Sequence, residues 1–187
     1  MKRLWVLSLL VGFLAFASLC ALAALPFFFK HYRVVSDGMA PAISKGDIVV
    51  TRRRPYGDIS DVRRGDVVLW QQRKNDATYI MIWRVVGLPG DKLQFNETDV
   101  VLNGRALEQT PMPSSSGLRF IERVGDVSYQ VVYDRRSDRI PVEATVPQGS
   151  LFVVGDNRDH AFDSRFEGSI PFTSIVGRVV WVPALPR

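Results

Sequence analysis

Gly155-Asp156-Asn157-Arg158-Asp159-His160-Ala161-Phe162-Asp163-Ser164-Arg165-Phe166-Glu167-Gly168 is the stretch on which the reading of this chain turns. Seven of its fourteen side chains can carry charge, counting His160. It follows the apolar run Leu151-Phe152-Val153-Val154 and precedes Ile170-Pro171-Phe172. A charged loop pinned between two buried strands must pair its charges, because an unpaired buried charge is very costly. Asp and Arg interleave here, so the loop can pair with itself and with a nearby arginine. That arrangement makes a rigid polar wall beside a site, and a solvated turn is the simpler alternative.

Outside this loop the chain reads as strands. Ile48–Val50, Asp66–Trp70, Tyr79–Val86, Val127–Val132, Leu151–Val154 and Val176–Val182 are short β-branched or aromatic runs separated by Gly, Pro, Asn and Asp. Gln94–Leu102 reads as a hairpin followed by a second turn at Asn103-Gly104. Pro111–Gly117 has the composition of a surface loop. Long helical periodicity is scarce, so a mostly β body is expected.

The N-terminus differs in kind. Met1-Lys2-Arg3 is basic, and Leu4 to Phe29 carries no charge, enough to cross a hydrocarbon core of ~30 Å as a helix. A cleavable leader would have a shorter apolar region than this. The expected organisation is therefore a basic start (1–3), a transmembrane helix (4–29) and a β domain (30–187). Lys2 and Arg3 favour a cytoplasmic N-terminus, although Lys30 and Arg33 flank the other end. Cys20 is the single cysteine, so an intramolecular disulfide is excluded; with only His31 and His160 beside it, a zinc site of the usual kind lacks ligands. No cofactor is expected.

The formal net charge is +5. Arg52-Arg53-Arg54, Arg63-Arg64 and Arg73-Lys74 concentrate positive charge, read first as a solvated face and second as a contact for anionic headgroups. Nucleic acid is not an expected partner, because interleaved aromatics and a reader motif are missing.

Four motifs carry a resemblance to the type I signal peptidases, the membrane-bound Ser/Lys endopeptidases. Ser36-Asp37-Gly38-Met39-Ala40-Pro41 resembles their nucleophile box. Gly46-Asp47 and Gly65-Asp66-Val67-Val68 resemble the next strand pairs, and Arg84-Val85-Val86-Gly87-Leu88-Pro89-Gly90-Asp91 the base box. Gly155–Asp159 with Asp163-Ser164-Arg165 and Gly168 resembles the last box. The resemblance implies a coiled antiparallel β body on one N-terminal transmembrane helix. It places that body on the outer face of the plasma (inner) membrane, in contact with the lipid bilayer.

It also exposes three departures. The family's serine stands immediately before the methionine, where this chain has Gly38. The family's lysine stands immediately before the arginine, where this chain has Trp83, a hydrogen-bond donor but no base near neutral pH. A serine that orients the lysine corresponds to Ala161. Ser36 matches a second family serine that assists the oxyanion, and Ser36 and Met39 are the candidate oxyanion or peptide-binding residues. Arg84 with Asp156, and Asp163 with Arg165, are expected to pair. Strand alternation would put Ser36 and Gly38 on one face about 7 Å apart, too far to share one oxyanion geometry. His160 is a candidate base, read first as a surface histidine, and Lys45 and Lys92 read as exposed. The expected function is a signal-peptidase-like membrane protein without catalysis that holds extended leader-type peptides or pairs with an active paralogue. The alternative is an active signal peptidase with rewired catalytic residues.

Overall fold

The computed structural model describes residues 12–13, 16–19, 27–135 and 139–183. Most of the expected membrane span lies outside the described residues; among those described, no helix is long and apolar enough to cross a membrane.

Among the described residues, fourteen strands make three antiparallel sheets. The largest is ordered β1-β2-β14-β3-β4-β12-β13. Its members are β1 (Phe29–Arg33), β2 (Ile48–Arg53), β3 (Val67–Lys74), β4 (Ala77–Gly87), β12 (Ser150–Val154), β13 (Ile170–Pro171) and β14 (Ile175–Trp181). A four-stranded sheet runs β11-β5-β6-β7, from β5 (Lys92–Asn96), β6 (Asp99–Leu102), β7 (Arg105–Ala106) and β11 (Val142–Thr145). The third is β10-β9-β8, from β8 (Glu108–Met112), β9 (Leu118–Val124) and β10 (Val127–Tyr133). The described body is thus mostly β, with a short α-helix, α1 (Ser164–Glu167), and brief 3-10 turns at Ile59–Asp61, Arg158–His160 and Phe172–Ser174.

Turn chemistry fixes the hairpins. Asn75 and Asp76 join β3 to β4 with φ of 48° and 59°, and Asn103 and Gly104 join β6 to β7 with φ of 53° and 78°. Both residues at positive φ is the signature of the tight turn whose twist matches a hairpin. Register breaks at Phe152/Val153, Val179/Trp181 and Ile175/Gly177 bend the large sheet.

Two cores share β4 and β12. Val85, Leu151 and Val153 enter one with Met39, Val49, Val68 and Trp83. Val86, Phe152 and Val154 enter the other with Phe95, Val124, Tyr129 and Val131. A strand buried on both faces has no polar side to show, which explains the unbroken run Leu151–Val154.

The structure departs from the sequence reading in three strands. β8 includes Pro111 and Met112, so the expected loop starts two residues late. Proline fits there because β8 is the outer strand of its sheet. β9 reads poorly as Leu-Arg-Phe-Ile-Glu-Arg-Val because Glu122 interrupts it, yet Glu122 is fully buried. Phe29, the last residue of the expected span, opens β1.

Glu122 takes hydrogen bonds from Tyr129 Oη (2.7 Å) and Gln109 Nε2 (2.8 Å) and an ion pair from Arg158. Burial would raise its pKa, but the Arg158 charge and these donors hold it below the usual carboxylate range. A carboxylate with a depressed folded pKa stabilises above its unfolded value, about 4.3, and loses that contribution as pH falls through the folded value. Glu122→Gln should therefore cost about 3–5 kcal/mol at neutral pH, by leaving Arg158 buried without its counter-charge. In denaturant unfolding the gap between the two proteins should begin to narrow as pH falls below about 4.3 and should close only below the depressed folded value; a gap that is the same at every pH would count against an ionised Glu122.

Candidate active-site cleft

The segment after β1 is coil and turn, not strand. Ala40 N–H donates to Asp37 O (2.9 Å) and Ile43 N–H to Met39 O (2.9 Å), while Asp37 Oδ1 accepts from Lys45 N–H (2.8 Å). The period-two spacing expected of Ser36 and Gly38 therefore does not apply. Ser36 is exposed. Met39 is 1% exposed and packs in the first core, so it reaches no ligand as the chain stands.

Gly38 is clamped to the charged loop. Asn157 N–H donates to Gly38 O (3.0 Å) and Asn157 Nδ2 to Asp37 O (3.1 Å). Above Gly38 lies the ring of Trp83, carried by β4 opposite Val68 and 4% exposed. A Cβ built on Gly38 would stand 2.6 Å from Trp83 Cη2 and Cζ3. One built on Gly155 would collide with Ala161 Cβ and stand 3.0 Å from Trp83 Cζ3. Gly38, Trp83, Gly155 and Ala161 thus interlock, and the three positions singled out in the sequence meet at one point. Trp83 Nε1 is buried without an acceptor.

Beside this point runs a groove of about 250 Å³. Val34, Val35 and Ser36 form one wall and Ile80 to Trp83 the other, with Val49 and Leu69 also lining it. Ser36 supplies a hydroxyl, but His160 does not line this groove. His160 borders a separate cleft with Ala40, Pro41 and Asn157, and its Nε2 lies 3.1 Å from Asp134 Oδ2 on the surface. Lys45 and Lys92 are exposed and line neither. Among the described residues no three metal-ligating side chains converge.

The loop behind the groove is charge-saturated. Arg84 Nε and Nη2 donate to the Asp156 carboxylate (2.8 and 2.5 Å), Arg84 Nη1 donates to Gly65 O (2.9 Å), and the guanidinium lies 4.0 Å from the Tyr129 ring centroid. Burial opposes the Arg84 charge, yet the bidentate Asp156 raises its pKa overall; burial lifts the Asp156 carboxyl against that same pairing. Asp163 accepts from Arg165 Nε and Nη2 (both 2.9 Å) and from Gly155 N–H (2.8 Å), and it caps α1 through Arg165 N–H (3.1 Å). Arg165 Nη2 returns to Arg158 O (2.6 Å). Sequence reading missed Glu122, Tyr129 and Arg158 as a unit. The available signal was Glu122 in step with Phe120 and Val124, an acid on an otherwise apolar strand face.

The family model "Signal peptidase, peptidase S26" matches residues 5–183. Signal peptidase I of Bacillus caldolyticus is 30% identical over 166 residues, covering 88% of this chain and 85% of the relative. Signal peptidase I V of Bacillus subtilis is 28% identical over 178 residues, covering 94% and 95%. Signal peptidase I of Pseudomonas fluorescens is 27% identical over 187 residues, covering 83% of this chain and 66% of that longer protein.

The interlock makes a measurable claim. Gly38→Ala should cost about 1–3 kcal/mol by overpacking against the indole. Combined with Trp83→Ala, it should cost less than the sum of the two single changes, with a coupling of about 0.5–3 kcal/mol in a thermal or denaturant double-mutant cycle. Strict additivity would mean that the two residues do not share space.

Proposed function

We propose that this chain, which belongs to the signal peptidase (peptidase S26) family, is a membrane-anchored member that holds extended peptides and does not cut them. The observation that carries this reading is the indole of Trp83 seated where a side chain on residue 38 would begin. Peptide hydrolysis by a Ser/Lys pair needs a hydroxyl to attack and a neutral amine to take its proton. At the meeting point of residues 38, 83 and 161 the chain offers hydrogen, indole and methyl. None of these attacks a carbonyl or accepts a proton near neutral pH.

The groove remains suited to a ligand. Its β4 wall, Ile80 to Trp83, is an extended segment that can receive a peptide strand through main-chain hydrogen bonds, and Val34 and Val35 across from it can help seat small apolar side chains. The occupants proposed are leader-type peptides of exported proteins, bound alone or alongside an active paralogue. The uncharged segment that precedes β1 is proposed to anchor the body in the plasma membrane, with the N-terminus inside and the body outside; Phe29, the last residue of the expected span, belongs to the body.

Ser36 sustains a second reading, an active signal peptidase with a rewired nucleophile, because its hydroxyl lines the same groove. What that reading lacks is a base: neither His160 nor any lysine lines the groove.

Purified full-length chain in detergent should show no turnover of a leader-peptide substrate and no adduct with a serine-directed acylating probe. A fluorescent copy of the same peptide should bind, and Ile82→Asp in the groove wall should weaken it at least tenfold, about 1.4 kcal/mol. Turnover that disappears in Ser36→Ala would overturn the non-cutting reading and establish the second one. Absence of any peptide binding would remove the holding role.

A further inference from the structure

Gly38 stands in sequence between two hollows. Val34, Val35 and Ser36 before it line the groove, and Ala40 and Pro41 after it line a second cleft of about 250 Å³. Asn157 also borders that cleft, and its bonds to Asp37 O and Gly38 O fix the turn that separates the two. The far wall comes from the three-stranded sheet and the loop before β9, through Ser116, Gly117, Arg119 and Val132. Gly117, with φ of 72°, lies so close to β10 that a Cβ there would collide with the Tyr133 carbonyl oxygen, so the loop is pressed against the sheet.

Arg119 is the charge on this wall that the fold does not use. Alternation along β9 turns it to the face opposite Phe120 and Glu122, between Val132 and Met112. It is half-buried, and its Nε is enclosed without an acceptor. Asp134, the acid that lines the same cleft, faces His160 at 3.1 Å, and among the described residues no carboxylate pairs with Arg119. Arg84 and Arg158, by contrast, each hold a carboxylate. A guanidinium cannot shed its proton, so a partly desolvated one without a counter-charge is costly.

The cleft therefore suits an anion, and its other groups select the kind. Asp134 opposes a doubly charged phosphate more than a singly charged group. Ala40, Pro41 and Val132 give apolar contact beside the guanidinium. A planar carboxylate matches the guanidinium fork, and a peptide strand that leaves the groove past Gly38 arrives at this cleft. We infer that Arg119 receives a carboxylate of the peptide held in the groove, on the part of that peptide that extends past Gly38. The inference rests on the peptide-holding reading and adds what the peptide carries: an apolar stretch and, a few residues from it, an acidic group.

Full-length chain in detergent, titrated with fluorescent leader-type peptides, tests it. Each peptide has a C-terminal amide and a single Glu at successive positions beyond either end of the apolar stretch, and each has a Gln counterpart. At one placement Glu should bind about tenfold more tightly than Gln. That preference should vanish in Arg119→Gln, survive in part in Arg119→Lys, and grow in Asp134→Asn, where the opposing charge is gone. A peptide without Glu but with a free C-terminal carboxylate forms a further arm; if it shows the preference and the Glu peptides do not, the group received is the chain terminus. Arg119→Gln should bind the Gln peptides as the parent chain does. Equal binding of every charged and neutral pair, a preference that outlasts Arg119→Gln, or loss of the Gln peptides in that variant overturns the inference and leaves peptide holding intact. Failure of the parent chain to bind any of the peptides removes the holding role and the inference together.

Discussion

Arg158 and Glu122 meet in the interior with almost no solvent at either side chain, and the body is assembled around that contact. Glu122 belongs to β9 of the three-stranded sheet and Arg158 to the loop that leaves β12 of the large one. Two residues before Arg158, Asp156 is gripped by Arg84 from β4. The Arg84 guanidinium in turn lies over Tyr129, whose hydroxyl donates to Glu122. Apolar packing alone would press the sheets together without fixing how they slide. Directional, charge-assisted bonds fix it. Buried ion pairs of this kind add little net stability over well-packed hydrocarbon. Their effect here is to make one arrangement of the loop far better than its neighbours.

That rigidity reaches the cleft. Arg158 Nε donates to Gly155 O (3.1 Å) and Asn157 holds Gly38, so the backbone on both sides of the Trp83 ring is bonded to the network. Asp163 gathers Gly155 N–H and both ends of Arg165 in one carboxylate. The groove wall thus keeps the stiffness that a cutting site needs to align its groups. Retention of that stiffness beside Gly38 and Trp83 is what makes a strand-holding cleft a coherent outcome for this chain.

How much of this could be read beforehand depended on distance along the chain. The strands β2, β3, β4, β10, β12 and β14 were legible because β-branched runs alternate or stay apolar over short windows. The Asn103-Gly104 turn was legible because its residue pair specifies its geometry. β9 was obscured, since a buried Glu122 looks like a surface residue until Arg158, Tyr129 and Gln109 arrive from elsewhere. β8 was obscured by Pro111, which composition assigns to a loop and only an edge position explains. In the site, positions 38, 83 and 161 could be singled out along the chain, and the meeting of Gly38, Trp83 and Ala161 is a matter of three dimensions. The burial of Met39 was likewise invisible, because a methionine beside a turn can face either way.

The contact between Gly38 and the indole has a consequence for how such a chain could change over time. A side chain at 38 is admitted only after the ring at 83 has become smaller, so the order of substitution matters. A chain that first acquired serine at 38 would pass through a less stable intermediate, and one that first lost tryptophan would pass through a hollow one. Neither path is open at no cost, and the present pair is locally trapped: each residue keeps the other in place by the space it occupies.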